Sequence, residues 1–235
     1  VAEKKLTRKE LLKEPDEFLT TTAKVIRYTR ENPRPVALGC ALVVIVLLAA
    51  ASVYYYQKHR EVRSHEIFEQ ACNEYETAVQ SPQQLTPQKL DKLFAEFGAL
   101  AREYSSLPAG EMALLYSGHV LYKKQDFKGA LERYAQMQST NLVKSGLSSL
   151  VLYHMAMSQL ALKEYDKAVV LFDQLSKDIN SPYRREAYGT VARIYELMGK
   201  NKEAVQAYRQ YLKMFPEAPD AAFVKARIAE IAKQA

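Results

Sequence analysis

Gln125-Asp126-Phe127-Lys128-Gly129-Ala130, Lys163-Glu164-Tyr165-Asp166-Lys167-Ala168 and Gly199-Lys200-Asn201-Lys202-Glu203-Ala204 are one short pattern written three times. A small residue (Gly118, Ala156, Ala192) precedes each closing Ala by 12 positions, and an aromatic (Tyr134, Phe172, Tyr208) follows it by four. The Ala-to-Ala offsets are 38 and 36 residues, a period at which helical hairpins stack. The pattern describes close helix pairing. Gly or Ala on the first helix lets its backbone approach the second. Ala130, Ala168 or Ala204 accepts that approach, and the aromatic one turn later fills the remaining wedge.

On these residues the chain resembles a tetratricopeptide repeat array, with three units over residues 110–216. The usual Trp near the start of each unit is absent, and Leu114, Leu152 and Tyr188 stand in its place. Offsets above the usual period of about 34 predict longer inter-repeat loops, around Asn141 to Gly146 and Asp178 to Pro182. The helical stretches around residues 66–71 and 88–104 form a degenerate leading unit, closed by the break Tyr104-Ser105-Ser106-Leu107-Pro108. Asp220 to Lys233 offers Phe223, Ile228 and Ile231 on one face and charges on the other, as a capping helix requires.

Val36 to Tyr56 reads VALGCALVVIVLLAAASVYYY, an unbroken stretch without a charge. At 1.5 Å per residue that helix covers about 31 Å, the thickness of a hydrocarbon core. Arg30, Arg34, Lys58 and Arg60 bracket it, and Tyr54, Tyr55 and Tyr56 sit where an interfacial belt falls. Ala49-Ala50-Ala51 imitates a signal-peptidase site, but the whole of positions 1–35 precedes the run, longer than an ordinary n-region. The run follows Cys40 instead of preceding it, which argues against a lipobox. Positions 1–35 carry nine Lys/Arg, against three over positions 57–76. The positive-inside rule therefore predicts a cytoplasmic N-terminus. Counted over positions 16–35 alone, the nearer part of the tail, the contrast narrows to four against three.

In the tail, Thr7-x-x-Glu10 is a capping-box signature for a short helix ending near Pro15. A second helix from Asp16 gathers Phe18, Leu19, Thr22, Val25, Ile26 and Thr29 on one face beside Lys24, Arg27 and Arg30. Asn32-Pro33-Arg34-Pro35 is expected to break it. Such a helix suits either the cytoplasmic headgroup region or a partner subunit.

The chain has 235 residues, 48% of them hydrophobic, which excludes wholesale disorder. Eight glycines leave little material for phosphate-cradling loops, and Gly199-Lys200-Asn201 lacks the upstream Gly and the hydroxyl such a loop needs. His59, His65, His119 and His154 are scattered, with no Cys or carboxylate at metal-ligand spacing. Cys40 and Cys72 lie on the order of 48 Å apart on a continuous helix, beyond disulfide reach. Neither catalytic, cofactor nor metal residues are expected, and beside the membrane segment the net charge of +6 is not read as a nucleic-acid signal.

The expected fold is all-α: a single transmembrane helix followed by a tetratricopeptide-repeat α-solenoid. Its parts are a basic tail (1–35), a span (36–56), an exit helix with the leading unit (57–109), three repeats (110–216) and a cap (217–235). The resemblance implies a partner-binding inner face lined by the first helix of each unit. By spacing it comprises Leu115, His119 and Tyr122, then Tyr153 and Met157, then Arg193 and Glu196. The Lys/Asn cluster with which related arrays clamp acidic chaperone tails has no equivalent, since Leu115, His119, Leu150 and His154 occupy those places. In layout the chain resembles the YfgM-like tetratricopeptide family, which includes an ancillary subunit of the bacterial Sec translocon. That resemblance implies an inner-membrane protein whose periplasmic domain contacts translocating or periplasmic polypeptides or membrane-complex subunits. A fixed structural subunit of a larger complex is the alternative.

Overall fold

The computed structural model describes residues 17–81, 83 and 85–234, all in helices and short connections. The capping box from Thr7 to Glu10 and its short helix lie outside the described residues. The chain divides into two units, Val1–His59 and Arg60–Ala235.

In the first unit, α1 (Glu17–Glu31) and α2 (Pro33–Gln80) are separated by Asn32 alone. The expected break over Asn32 to Pro35 is thus confined to Asn32. Pro33 and Pro35 begin α2 instead of interrupting it, because a helix's first turn has no intrahelical acceptor for their missing N–H groups. The apolar part of α2 is long enough to cross a membrane, and none of its apolar window is buried. On α1, Val25 and Ile26 are 56% and 57% exposed.

The second unit is a stack of antiparallel helical hairpins. After the residues of α2 from Arg60 onward come α3 (Pro87–Glu103), α4 (Pro108–Lys123) and α5 (Phe127–Met137). They are followed by α6 (Ser148–Ala161), α7 (Tyr165–Lys177), α8 (Arg184–Leu197), α9 (Asn201–Met214) and α10 (Ala221–Gln234). From α3 on, each helix packs on its neighbours in the chain. Such short-range packing lets one local motif build the whole stack.

The three hairpins α4–α5, α6–α7 and α8–α9 turn in the same way. The N–H groups of Asp126, Glu164 and Lys200 each donate to the carbonyl five positions back (Leu121, Gln159, Tyr195) at 2.9 Å. Those of Gln125, Lys163 and Gly199 donate to Tyr122, Leu160 and Glu196. This double closure satisfies the last carbonyls of the first helix and requires a left-handed residue between its two bonds. That residue is Gln125 (φ 64), Lys163 (φ 60) or Gly199 (φ 69). Only the third hairpin places glycine where the backbone favours it. In the first hairpin the Asp126 carboxylate then caps α5 by accepting from Gly129 N at 3.0 Å.

Inside each hairpin the small–small–aromatic sets are buried. Ala130, Ala156, Ala168, Ala192 and Ala204 are all 0% exposed, as are Tyr134 and Phe172, and Tyr208 is 4% exposed. At Gly118 a Cβ would lie 2.5 Å from Cε1 of Tyr134, so no side chain fits there. The longer of the two repeat offsets falls across a π-helical turn (Val143–Leu147) with Gly146 at φ 129. The buried Glu111 carboxylate fixes the start of this loop, accepting from Asn141 N at 3.1 Å and Leu142 N at 2.8 Å.

The cap corrects one expectation. Phe223 is 69% exposed, and α10 buries Val224 and Ile231 with Ile228 against Tyr208 and Tyr211. Positions 224, 228 and 231 follow the i, i+4, i+7 spacing of one helix face, whereas 223 lies about 100° away.

Replacing Gln125 or Lys163 with Gly should stabilise the fold by about 1 kcal/mol each, and Gly199→Ala should destabilise it by a similar amount. Urea-denaturation midpoints of the three single variants check the sign. Unchanged midpoints would mean that the left-handed turns are relaxed in solution.

Candidate partner-binding site

Stacking α4 beside α6 brings together residues that are distant in sequence. His119 and His154 occupy corresponding faces of these two helices, and their Nε2 atoms lie 3.2 Å apart with ring centroids at 4.3 Å. One ring donates and the other accepts, so the pair holds a single shared proton between two neutral imidazoles. Burial, then His154 and the charge of Lys123, push the His119 pKa down to about 3. Burial pushes His154 down to about 4. Tyr134 stacks on His154 at 5.3 Å, its ring admitted by the missing side chain at Gly118.

The His pair and Tyr134 line a cavity of about 280 Å³ together with Tyr122, Tyr153 and Met157. Tyr75 from α2 and Lys123 complete its wall. Tyr153 is fixed in place: its ring stacks on Tyr183 at 4.3 Å, and its hydroxyl donates to the Glu186 carboxylate at 2.7 Å. Tyr122 packs edge-on to Phe127 at 5.0 Å. Burial raises the pKa of Tyr122, Tyr134 and Tyr153, so the phenols stay protonated. At neutral pH the interior is uncharged, with the exposed Lys123 among its lining residues.

Of the residues expected on the inner face, His119, Tyr122, Tyr153 and Met157 line this one cavity. Leu115 does not; it is 1% exposed and packs in the core with Ala130 and Tyr134. Arg193 and Glu196 line a separate cavity of about 300 Å³. There the cap engages Glu196: Arg227 donates from Nε at 3.0 and 3.2 Å and from Nη2 at 2.7 Å. Burial raises the Glu196 pKa, but hydrogen bonds from Arg227 and Tyr208 outweigh it, and the carboxyl ends below its usual range. Tyr75, Lys123, Tyr134 and His154 also line the cavity and were not placed on the expected face; Tyr134 was expected only as a packing residue. His154 falls 35 positions after His119, one turn before Met157, the position that the repeat offset of 38 reaches, so helical spacing puts it on the same face. Tyr75 carried no such signal, since it belongs to the degenerate leading unit.

Among the described residues, no group of three or more His, Cys, Asp or Glu is placed to hold a metal ion. The cavity offers neutral donors and aromatic walls, and nothing in it is poised as a nucleophile.

The tetratricopeptide repeat-like domain family matches residues 32–233, and the chain belongs to that family. It is a non-catalytic scaffold family whose repeats mediate protein–protein interaction. The fold is similar to that of a tetratricopeptide repeat protein from Parabacteroides merdae, at 18% identity and a TM-score of 0.53. That match covers 72% of this chain and 61% of the Parabacteroides chain. It is similar also to nearly identical TPR-like repeats from Podosopora anserina, at 17% identity and a TM-score of 0.54, covering 71% of this chain and 88% of that one. None of the curated proteins matches the chain.

The depressed histidines make stability depend on pH. Above about pH 6.5 both rings are neutral in the folded and unfolded chain. As pH falls below that value the unfolded chain binds protons first, so stability declines from about pH 6.5 down through the folded values of about 4 and 3. A His119→Gln/His154→Gln variant should show a shallower decline of its urea midpoint over this window. Parallel curves for the variant and the parent would locate the titration elsewhere.

Proposed function

We propose that this chain is a membrane-anchored protein–protein interaction module that engages a polypeptide through the cavity between its first two repeats. The observation carrying this reading is the convergence of Tyr122, Tyr153 and Met157 with the His119–His154 pair on one neutral, concave surface. At about 280 Å³ the cavity lies at the lower edge of pockets that enclose small molecules, and suits one or two side chains of a partner instead. Rigid aromatics and an adaptable Met are suited to apolar peptide. The third unit plays a different part, because its inner-face carboxylate is tied to the cap.

In this reading residues 1–35 form the basic tail, 36–56 the anchor, 57–109 the exit helix and leading unit, 110–216 the repeats and 217–235 the cap. The nine-to-three Lys/Arg imbalance supports a cytoplasmic tail and a repeat domain on the far side. With the YfgM-like layout, this points to the bacterial inner membrane, and to an adaptor or chaperone-like role beside the translocon. The exposed Val25 and Ile26 of α1, beside Lys24, Arg27 and Arg30, support a tail helix resting in the headgroup region.

Photo-crosslinking residues placed at Tyr122 and Tyr153 in living bacteria should capture polypeptide, whereas one at the exposed Lys128 should not. Alanine at Tyr122, Tyr153 and Met157 together should abolish the capture from a neighbouring cavity position while helical content is retained. Truncating anchors of this kind costs about 2 kcal/mol or more in a packed interface. Equal capture at all three positions would remove the cavity from the interaction.

Sidedness has its own check. Protease added to spheroplasts should digest the chain beyond Gln57 and spare the tail; a protected repeat domain would reverse the orientation.

A further inference from the structure

Among the described residues that line the cavity between the first two repeats, Lys123 is the only charged one. It is exposed, and among the described residues its ammonium has neither an ion pair nor a hydrogen bond. The adjacent Lys124, by contrast, pairs with Asp91 at 2.5 Å. No carboxylate lines the cavity with Lys123, since Glu186, which accepts from the Tyr153 hydroxyl, stands outside the lining.

The fold does not account for this cation. Seven positions before the closing Ala of each hairpin stand Lys123, Ala161 and Leu197, so the hairpin accepts a small or an apolar residue there. Nor does the end of α4 need the ammonium. The carbonyls of Val120, Leu121 and Tyr122 already accept from the N–H groups of Lys124, Asp126 and Gln125. The charge nevertheless reaches the cavity: after burial and His154, it is the third influence that holds the His119 pKa down to about 3.

From this we infer that the cavity selects a partner segment in which an acidic residue stands beside the apolar side chain that enters, its carboxylate accepting from the Lys123 ammonium at the mouth. This rests on the cavity being the partner site. The complement is an acid because the lining carries one positive charge and no counter-charge, and such complementarity selects among partners more than it adds affinity. The carboxylate belongs at the mouth, where Lys123 is exposed. Deeper, among neutral histidines and phenols, it would lose its hydration without gaining a cation.

The test uses the full chain in phosphatidylcholine nanodiscs, labelled with methyl-13C methionine, with the Met157 signal assigned by its loss in Met157→Leu. Three blocked dipeptides are titrated: N-acetyl-Glu-Phe-amide, N-acetyl-Gln-Phe-amide and N-acetyl-Lys-Phe-amide. They share the apolar side chain and differ in the charge beside it. The Glu dipeptide should move the Met157 signal at a concentration about two- to fivefold below the Gln one, the worth of an exposed ion pair. The Lys dipeptide should bind weakest, and added salt should narrow the differences. In Lys123→Gln the Glu and Gln dipeptides should bind alike, and Lys123→Glu should reverse the order. A preference for Glu that survives Lys123→Gln would overturn the proposal by placing the attracting charge elsewhere. Equal binding of the three, or tighter binding of the Gln or Lys dipeptide, would overturn the acidic neighbour and leave the cavity reading standing; binding of none would overturn both.

Discussion

The close approach of two helices inside each hairpin is the constraint from which the rest of the array follows. Gly118, Ala156 and Ala192 face Ala130, Ala168 and Ala204, and the gap left by these small residues admits one ring, Tyr134, Phe172 or Tyr208. The wedge sets how far apart the paired helices stand. The six-to-one and five-to-two turn bonds set where the second helix begins. With both fixed, the outer surface of each hairpin repeats, and consecutive hairpins stack in register. Stability is then a sum of local units and nearest-neighbour contacts, which accounts for a fold of this size without one large central core.

Much of this was legible because the repeat is local. The spacing from small residue to Ala to aromatic is read directly from the chain, and so is the uncharged run from Val36 to Tyr56. The features that escaped depend on geometry that a linear pattern does not carry. The alternation of charge and apolarity in α10 admits two faces, and only packing against Tyr208 and Tyr211 selects Val224 over Phe223. Pro33 and Pro35 signal a boundary equally well whether they end one helix or begin the next; their place in the first turn of α2 decides it. The clamp of Glu111 on the Asn141 and Leu142 amides joins residues 30 and 31 positions apart, and no motif announces it.

The candidate site shows the same division. Its aromatic members were legible, since Tyr153 and Met157 stand one turn apart on the first helix of a unit. Whether a first-helix residue faces inward or into the hairpin depends on about one position of rotation. Leu115 lies one turn before His119 yet joins the core. The repeat offset of 38, applied to His119, leads to Met157, with His154 one turn before it; the consequence of the two histidines meeting is electrostatic and needs the 3.2 Å separation to be seen. At that distance in a buried setting neither ring takes up a proton easily, so what looks on paper like two polar, chargeable residues is a neutral surface at physiological pH.

That neutrality separates the two ends of the inner face. At the third repeat Glu196 meets Arg227 in a multidentate pair, further tied by Arg227 to Glu230 at 2.7 Å. The charges there are complementary and internal, and they hold the cap on the stack. At the first two repeats the donors are phenols and imidazoles, and only the Tyr153 hydroxyl has a charged partner, the Glu186 carboxylate. A buried ion pair gains its value from the group already opposite it, whereas a neutral pocket discriminates among guests by shape and by a few directed hydrogen bonds. One array thus uses equivalent positions for opposite ends. The last unit ties its inner-face carboxylate to its own cap, and the first two keep a neutral cavity walled by aromatic rings.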